Sequence, residues 1–453
     1  MDNIEGLTRF LKAVAHPKRI QILTLLTEQY LNFSQLKSET KLQKTALSNN
    51  LTTLIEVKLI QRFERGNYRI THDGQELLNA INHFYDNAKV REKFERKKVQ
   101  QYYSQKWRKS MMTEISENKT SYVPKFQSSW ISYLGAVSGV LKSLGKKCSI
   151  IDVGGYSGWS FLVNVAKGST CPSGPTAHKA YDEILKGTES LGFEMGFYTD
   201  RMTDWENAVV SLEEDTPEAQ KERAKKFFNY FKKEFDENQS PVVLWGIPIP
   251  EYGIVYGYKG KSYLVSTFRH LQGIPETPIP YDKLEAPGYL HYFSFGKEVD
   301  VNTELKDKET IERAIRMAEG EAYTHENYVA GPDAFVEWAN VLKTGKKGED
   351  LIYHGNSYVA NCALEGKQTA ELFLKRLAER YKDKPQYEPL NKASNEYSKS
   401  KDLLAEFIKL FPFAFEGEMP EDKRKQGAEL LLKIKPNELE AIEHLKEAAK
   451  VWK

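Results

Sequence analysis

Cysteine is scarce in this chain. Cys148, Cys171 and Cys362 are the only three in 453 residues, and an odd, widely spaced set argues against both a disulfide framework and a CxxC-type zinc site. Buried free thiols are the expectation. Long apolar runs are also missing: none approaches the roughly 18 residues that a membrane-spanning helix needs. The N-terminus carries no charged-then-apolar stretch ending in a cleavage site. A cytoplasmic chain with no membrane partner is therefore expected. His270, His291, His325 and His354 are scattered without metal-ligand spacing, so neither a metal nor a cofactor is expected.

What is present is globular in texture, with 40% apolar, 28% charged and 12% aromatic residues, far from the low-hydropathy signature of disorder. A chain of this length should hold two or three folded units. The net charge of +2 conceals an asymmetry: residues 1 to 110 hold 20 Lys and Arg against 11 Asp and Glu, a surplus of 9, and the remaining 343 hold 45 against 52, a deficit of 7. Positive charge gathered at one end suits phosphate contact, because Lys and Arg displace the counterions of nucleic acid.

That end is patterned. Leu7, Phe10, Leu11 and Val14 share one helical face, His16-Pro17 breaks it, and Ile20, Ile22, Leu23 and Leu26 form a second. Pro17 suits a first helical turn, where its missing N–H costs nothing. Ser34 is a plausible N-cap for a short helix to Thr40, and Thr45 to Val57 repeats Leu47, Leu51 and Leu54 at helical spacing. The opposite face of that helix carries Thr45, Ser48, Asn49 and Thr52, with Lys44 just ahead: small polar groups able to enter a major groove. Residues 59 to 63 and 68 to 70 read as two short strands around a Gly66-Asn67 turn. Arg62, Arg65 and Arg69 make that hairpin basic, and Thr71 opens another helix through Leu77, Leu78 and Ile81.

Helices, then a hairpin, then a helix is the winged helix-turn-helix order, and the string AHPKRIQILTLL…SQLKSET…LSNNLTTLIEVKLIQR…YRIT resembles the ArsR-like branch of that superfamily over residues 5 to 82. The resemblance implies binding to double-stranded DNA, with Lys44, Thr45, Ser48, Asn49, Thr52, Arg62, Arg65 and Arg69 as contacts; use of the module for protein contact is the alternative. Metal-sensing members of that family carry a cysteine motif near the reading helix. No cysteine precedes Cys148 here, which disfavours that role.

Residues 73 to 118 continue as a charge-dense helical stretch with Phe84, Tyr85, Val90, Phe94 and Tyr102 interspersed. A charge run is usually a solvated face, yet a reader of a palindromic site needs a two-fold partner, and flanking helices commonly supply it. A homodimer is expected.

From Ser128 the texture turns aromatic and Gly-punctuated. ISYLGAVSGVLKSLG over 131 to 145 reads as an apolar helix, and 241 to 267 as strand-bearing, with an antiparallel pair joined around Gly260. Residues 309 to 380 and 391 to 451 read as amphipathic helices. The helix ending at Gly145, the GYSG segment, the strands PVVLWG…EYGIVYGY…YLV and the tail GPDAFVEWANVL are similar to the butirosin-biosynthesis acyltransferase-like family, whose core resembles the papain-like peptidases that trim bacteriocin leaders.

Carried over residue by residue, that resemblance places Ser132 where those peptidases have the nucleophilic Cys, Glu251 at the general-base His, Ser266 at the orienting Asp and Gln127 at the stabilising Gln. A Ser beside a Glu supplies neither a low-pKa thiolate nor its matched imidazole, so no catalytic residue is expected and a ligand-sensing cradle is. Trp159, Trp245, Glu251, Tyr252, Tyr256 and Tyr258 are its candidate lining, with plain core packing the alternative. Cys171 with His178 could pair as thiol and base, or be structural. Gly154-Gly155-Tyr156-Ser157-Gly158 lacks the Lys and following Ser/Thr of a P-loop and reads as a turn.

The expected fold is α+β: a winged helix-turn-helix at 1–82, a helical linker at 83–120, a papain-like α+β domain with an antiparallel sheet at 121–300 and a helical region at 301–453. The expected function is a dimeric DNA-binding transcription regulator whose inactive peptidase-like half senses a small molecule or peptide. A hydrolase or acyltransferase with a docking module, and a constitutive DNA-binding scaffold, are the rivals.

Overall fold

The computed structural model describes residues 13–28, 30–63, 66–87, 117–200, 216–286 and 289–452. The chain divides into two compact units, residues 1–108 and 109–453. Helices and antiparallel sheets mix in both, an α+β architecture. No helix among the described residues is long and apolar enough to cross a membrane.

The first unit runs α1 (Pro17–Glu28), β1 (Leu31–Asn32), α2 (Phe33–Thr40), α3 (Lys44–Glu56), β2 (Ile60–Phe63), β3 (Asn67–Ile70) and α4 (His72–Asn87). Its strands form a three-stranded antiparallel sheet in the order β1-β3-β2. The heptad-like leucines do what their spacing predicts: Leu47, Leu51 and Leu54 of α3 are buried with Ile22, Leu23, Leu26 and Leu36. The cap of α2 differs from expectation. Asn32 rather than Ser34 holds that end, its side chain accepting from the Gln35 N–H at 3.0 Å while Gln35 reaches back to the Asn32 N–H at 2.9 Å. This is a capping box with Asn in place of the usual Ser or Thr. Asn32 also pairs with Asn67 on β3, so one residue starts the helix and ends the sheet.

The second unit is built on one antiparallel sheet. Its strands are β4 (Glu117–Lys119), β6 (Phe193–Thr199), β7 (Val242–Trp245), β8 (Tyr252–Lys259), β9 (Ser262–Ser266), β10 (Ile279–Pro280) and β11 (His291–Glu298), in the order β10-β9-β8-β7-β11-β6 with β4 on β8. β5 (Asn164–Ala166) and β12 (Tyr328–Ala330) pair separately. The β8–β9 hairpin turns at Gly260-Lys261 as its spacing predicts.

Side-chain alternation along β11 fixes the layers on either side of the sheet. Phe293 and Phe295 enter one core with α5 (Ser132–Ser143), α6 (Ile150–Ser157) and α7 (Tyr181–Glu189). Tyr292 faces the other way, onto Phe227 and Phe231 of α8 (Pro217–Asn238). Further helices α9 (Thr303–Glu319), α10 (Pro332–Thr344), α11 (Tyr353–Arg380), α12 (Tyr387–Leu410) and α13 (Glu421–Val451) form a layer that shares both of this unit's cores. The tail from residue 301 therefore belongs to the same unit as the sheet. Within this layer the Lys367 Nζ donates to the Glu438 carboxylate at 2.6 Å, both side chains being fully or nearly buried.

Gly154-Gly155 is not a turn. The pair lies inside α6, where a Cβ on Gly155 would sit 2.1 Å from the Phe373 ring and one on Gly154 2.2 Å from the Ser160 Oγ. Small residues here let α6 approach α11, and the chain reverses only at Gly158, at φ 82°.

Candidate functional site

On the first unit, α3 presents two unlike faces. Its leucines are buried, and Lys44, Thr45, Ser48, Asn49 and Thr52 are all solvent-exposed on the opposite side. Arg62 and Arg69 on β2 and β3 are exposed as well. Arg65 lies outside the described residues, as do residues 88–116 of the expected dimerising linker.

On the second unit, two positions 119 residues apart in sequence meet. Ser132 opens α5, Glu251 immediately precedes β8, and the Ser132 hydroxyl donates to the Glu251 carboxylate. Ser132 in turn accepts from the Tyr252 N–H at 2.9 Å. The second Glu251 oxygen accepts from the Tyr358 hydroxyl at 2.5 Å. Ser132 is 4% and Glu251 8% exposed; burial pushes the Glu251 carboxyl up to about 7, against the opposing pull of the two hydroxyl donors. Cys362, one helical turn after Tyr358 on α11, is buried beside them, with its thiol pushed up by burial and donating to the Trp130 carbonyl at 3.6 Å. The arrangement holds a proton that exchanges near neutrality. Ser132 is thereby held between a carboxylate that it donates to and a backbone amide that it accepts from.

Ser266 and Gln127 are not part of this group. Ser266 accepts from the Phe126 N–H at 3.1 Å, and the Gln127 side chain is held by Lys142 at 2.5 Å. Tyr358 and Cys362 were missed by sequence reasoning. They sit four apart on a long helix remote in sequence from both partners, and only the tertiary packing of α11 against the segment that leads into α5 reveals them.

The six expected lining residues do not gather around one opening. Trp159, Trp245 and Tyr252 are buried in one stack of rings, with Trp159 5.9 Å and Trp245 5.0 Å from Tyr252. The two buried imidazoles His178 and His291 close it, 4.7 Å from Trp159 and 5.9 Å from Trp245, each held neutral by burial at about 3. Tyr258 lies on the other face of the sheet, donating to Asp236 of α8 at 2.8 Å. A bulge separates them: Val255 pairs with Val265 but Gly257 with Leu264, so Tyr256 is the extra residue and the alternation inverts after it. Gly257, at φ 154°, allows the bulge, and a Cβ there would meet the Asn118 carbonyl at 2.3 Å.

No family model matches the chain, and no curated protein matches it.

Cys171 and His178 do not pair. The Cys171 thiol lies 3.1 Å from the Ser173 hydroxyl, and His178 faces the aromatic stack. Among the described residues no group of three or more His, Cys, Asp or Glu could hold a metal ion.

Proposed function

We propose that the protein is a DNA-binding transcription regulator. Its first unit is read as a winged helix-turn-helix in which α3 enters the major groove and the β2–β3 hairpin forms the wing. The second unit is read as a papain-like fold without catalysis that senses a ligand. The observation that carries this reading is the segregation on α3: five polar side chains of groove-compatible size share the exposed face and three leucines the buried one. Asn49 has the amide that pairs bidentately with adenine, and Lys44 a donor for guanine or phosphate. The surplus of positive charge before residue 110 supplies the sequence-independent part of the affinity. A homodimer would bring two such helices to the half-sites of a palindrome.

Loss of chemistry in the second unit is supported by the closed Ser132–Glu251 pair, with neither a thiol nor an imidazole at those two positions. An enzyme reading would draw on one feature, a buried carboxyl near neutrality beside a hydroxyl, a combination suited to general-base work. Turnover of a chromogenic ester that vanished in Ser132→Ala would select that reading instead.

The deciding experiment for the regulator is an electrophoretic shift with the DNA upstream of the protein's own coding region, titrated with salt. Sequence-preferring retention that weakens in Asn49→Ala is expected. Equal retention of random DNA of the same length at about 0.15 M salt, where non-specific affinity is already low, would remove it.

A further inference from the structure

Between α12 and α13 the chain runs as a strap, Phe411 to Pro420, across the first turns of α11. Two of its carbonyls point to that helix: Pro412 accepts from the Tyr353 hydroxyl at 2.9 Å, and the Ser357 hydroxyl, 3.0 Å from the His354 carbonyl, also lies 3.4 Å from that of Ala414. Two rings alternate with them. Phe413 meets Trp130 edge-on at 4.8 Å and His354 at 5.5 Å, and Phe415 stacks on His354 at 4.8 Å and 17°. Gly417 then passes the Tyr353 ring so closely that a Cβ would sit 2.4 Å from it.

Carbonyls held at alternate positions, with side chains seated at the alternate positions between them, is how an extended peptide is gripped by a protein surface. The strap's own rings and the indole they meet are nonetheless only partly covered: Phe413 is 38%, Phe415 70% and Trp130 37% exposed. A core would have buried them. The groove also adjoins the Glu251 cluster, since His354 lies one turn before Tyr358, ring centroids 6.2 Å apart, and Trp130 is two residues before Ser132.

We infer that this groove is a binding site for an extended peptide of the pattern aromatic-any-aromatic, and that residues 412–415 are its intramolecular occupant. The inference rests on the ligand-sensing reading of the second unit and names its ligand class. Trp130 and His354 are the two ring subsites; Tyr353 and Ser357 are the backbone clamps. A peptide in trans displaces the strap, unstacks His354 and so reaches Tyr358 and the carboxyl behind it.

The test uses the full-length chain and a fluorescein-labelled peptide of its own strap sequence, FPFAFEGEM, followed by anisotropy. Replacing both strap rings, Phe413→Ala with Phe415→Ala, should tighten peptide binding about tenfold or more, because an occupant that fills a site nine-tenths of the time weakens any competitor tenfold. Adding His354→Ala should abolish that gain, and a peptide with Ala at the positions of Phe413 and Phe415 should not bind. Unchanged affinity in a strap variant whose melting curve matches the parent overturns the inference. So does equal binding of the Ala peptide, or equal competition by N-acetyl-phenylalanine amide, which fills one ring site only. Peptide capture is measured without DNA, so its failure leaves the regulator reading intact. Loss of sequence-preferring DNA retention with peptide capture preserved removes the regulator reading alone.

Discussion

Polar side chains are used in opposite directions by the two units. In the first, Thr45, Ser48, Asn49 and Thr52 stand on the outside of a helix whose leucines fill the core. In the second, Ser132 with Glu251 and Lys367 with Glu438 lie inside as two separate bonded pairs. Exposed polar groups contribute little to stability and remain available to bind. Buried ones cost desolvation, and removing one partner strands the other. The comparison separates surfaces that contact something else from networks that hold the fold or carry a proton.

The largest effect should come from breaking that inner arrangement. Lys367→Met leaves the Glu438 carboxylate buried without its cation and should cost about 3–5 kcal/mol in urea unfolding of the second unit. Lys367→Met with Glu438→Leu should recover most of it. In the first unit the equivalent injury is apolar: Leu47→Ala should cost about 2–5 kcal/mol and shift only that unit's transition in calorimetry, provided the two melt as separate units.

Glu251 gives a comparison that depends on pH. Its carboxyl is protonated when folded up to about 7 and ionises near 4.5 when unfolded, so between those values the folded state holds the extra proton. Its contribution to stability is full below about 4.5 and is lost as pH rises through 7. Holding that proton across the interval is worth roughly 3 kcal/mol at most. Glu251→Gln should flatten the dependence of the melting temperature on pH in this window and leave the variant relatively more stable at pH 8 than at pH 5. The smallest effect is expected on the outer face of α3, where Ser48→Ala should change stability by under about 0.5 kcal/mol while weakening retention of the preferred DNA. A loss of stability there larger than a buried-site substitution would collapse the contrast between the units.

The sequence was most legible where local periodicity and tertiary burial agree. Leucines at helical spacing, a glycine at a hairpin and a polar helix face are each decided within a few residues, and those features of α3 and the β8–β9 hairpin match expectation. The Ser132–Glu251 meeting has no local signal, since the two residues are 119 apart and are joined only by the packing of α5 on β8. The aromatic residues of β8 misled because strict alternation puts Tyr252, Tyr256 and Tyr258 on one face, and the bulge at Gly257 depends on the close passage of Asn118 from β4. The Gly154-Gly155 helix was illegible for a similar reason: what Gly155 accommodates is Phe373, more than 200 residues away.

β4 gives that bulge a mechanical meaning. The strand is the first described stretch beyond residue 116, and it is zipped to β8 through Gly257, Tyr258 and Lys259. The opposite end of β8 is Tyr252, whose N–H grips Ser132. One strand of eight residues, about 26 Å long, thus carries the β4 pairing at one end and the amide that holds Ser132 at the other, so the bulge between them decides which face of the sheet each end presents.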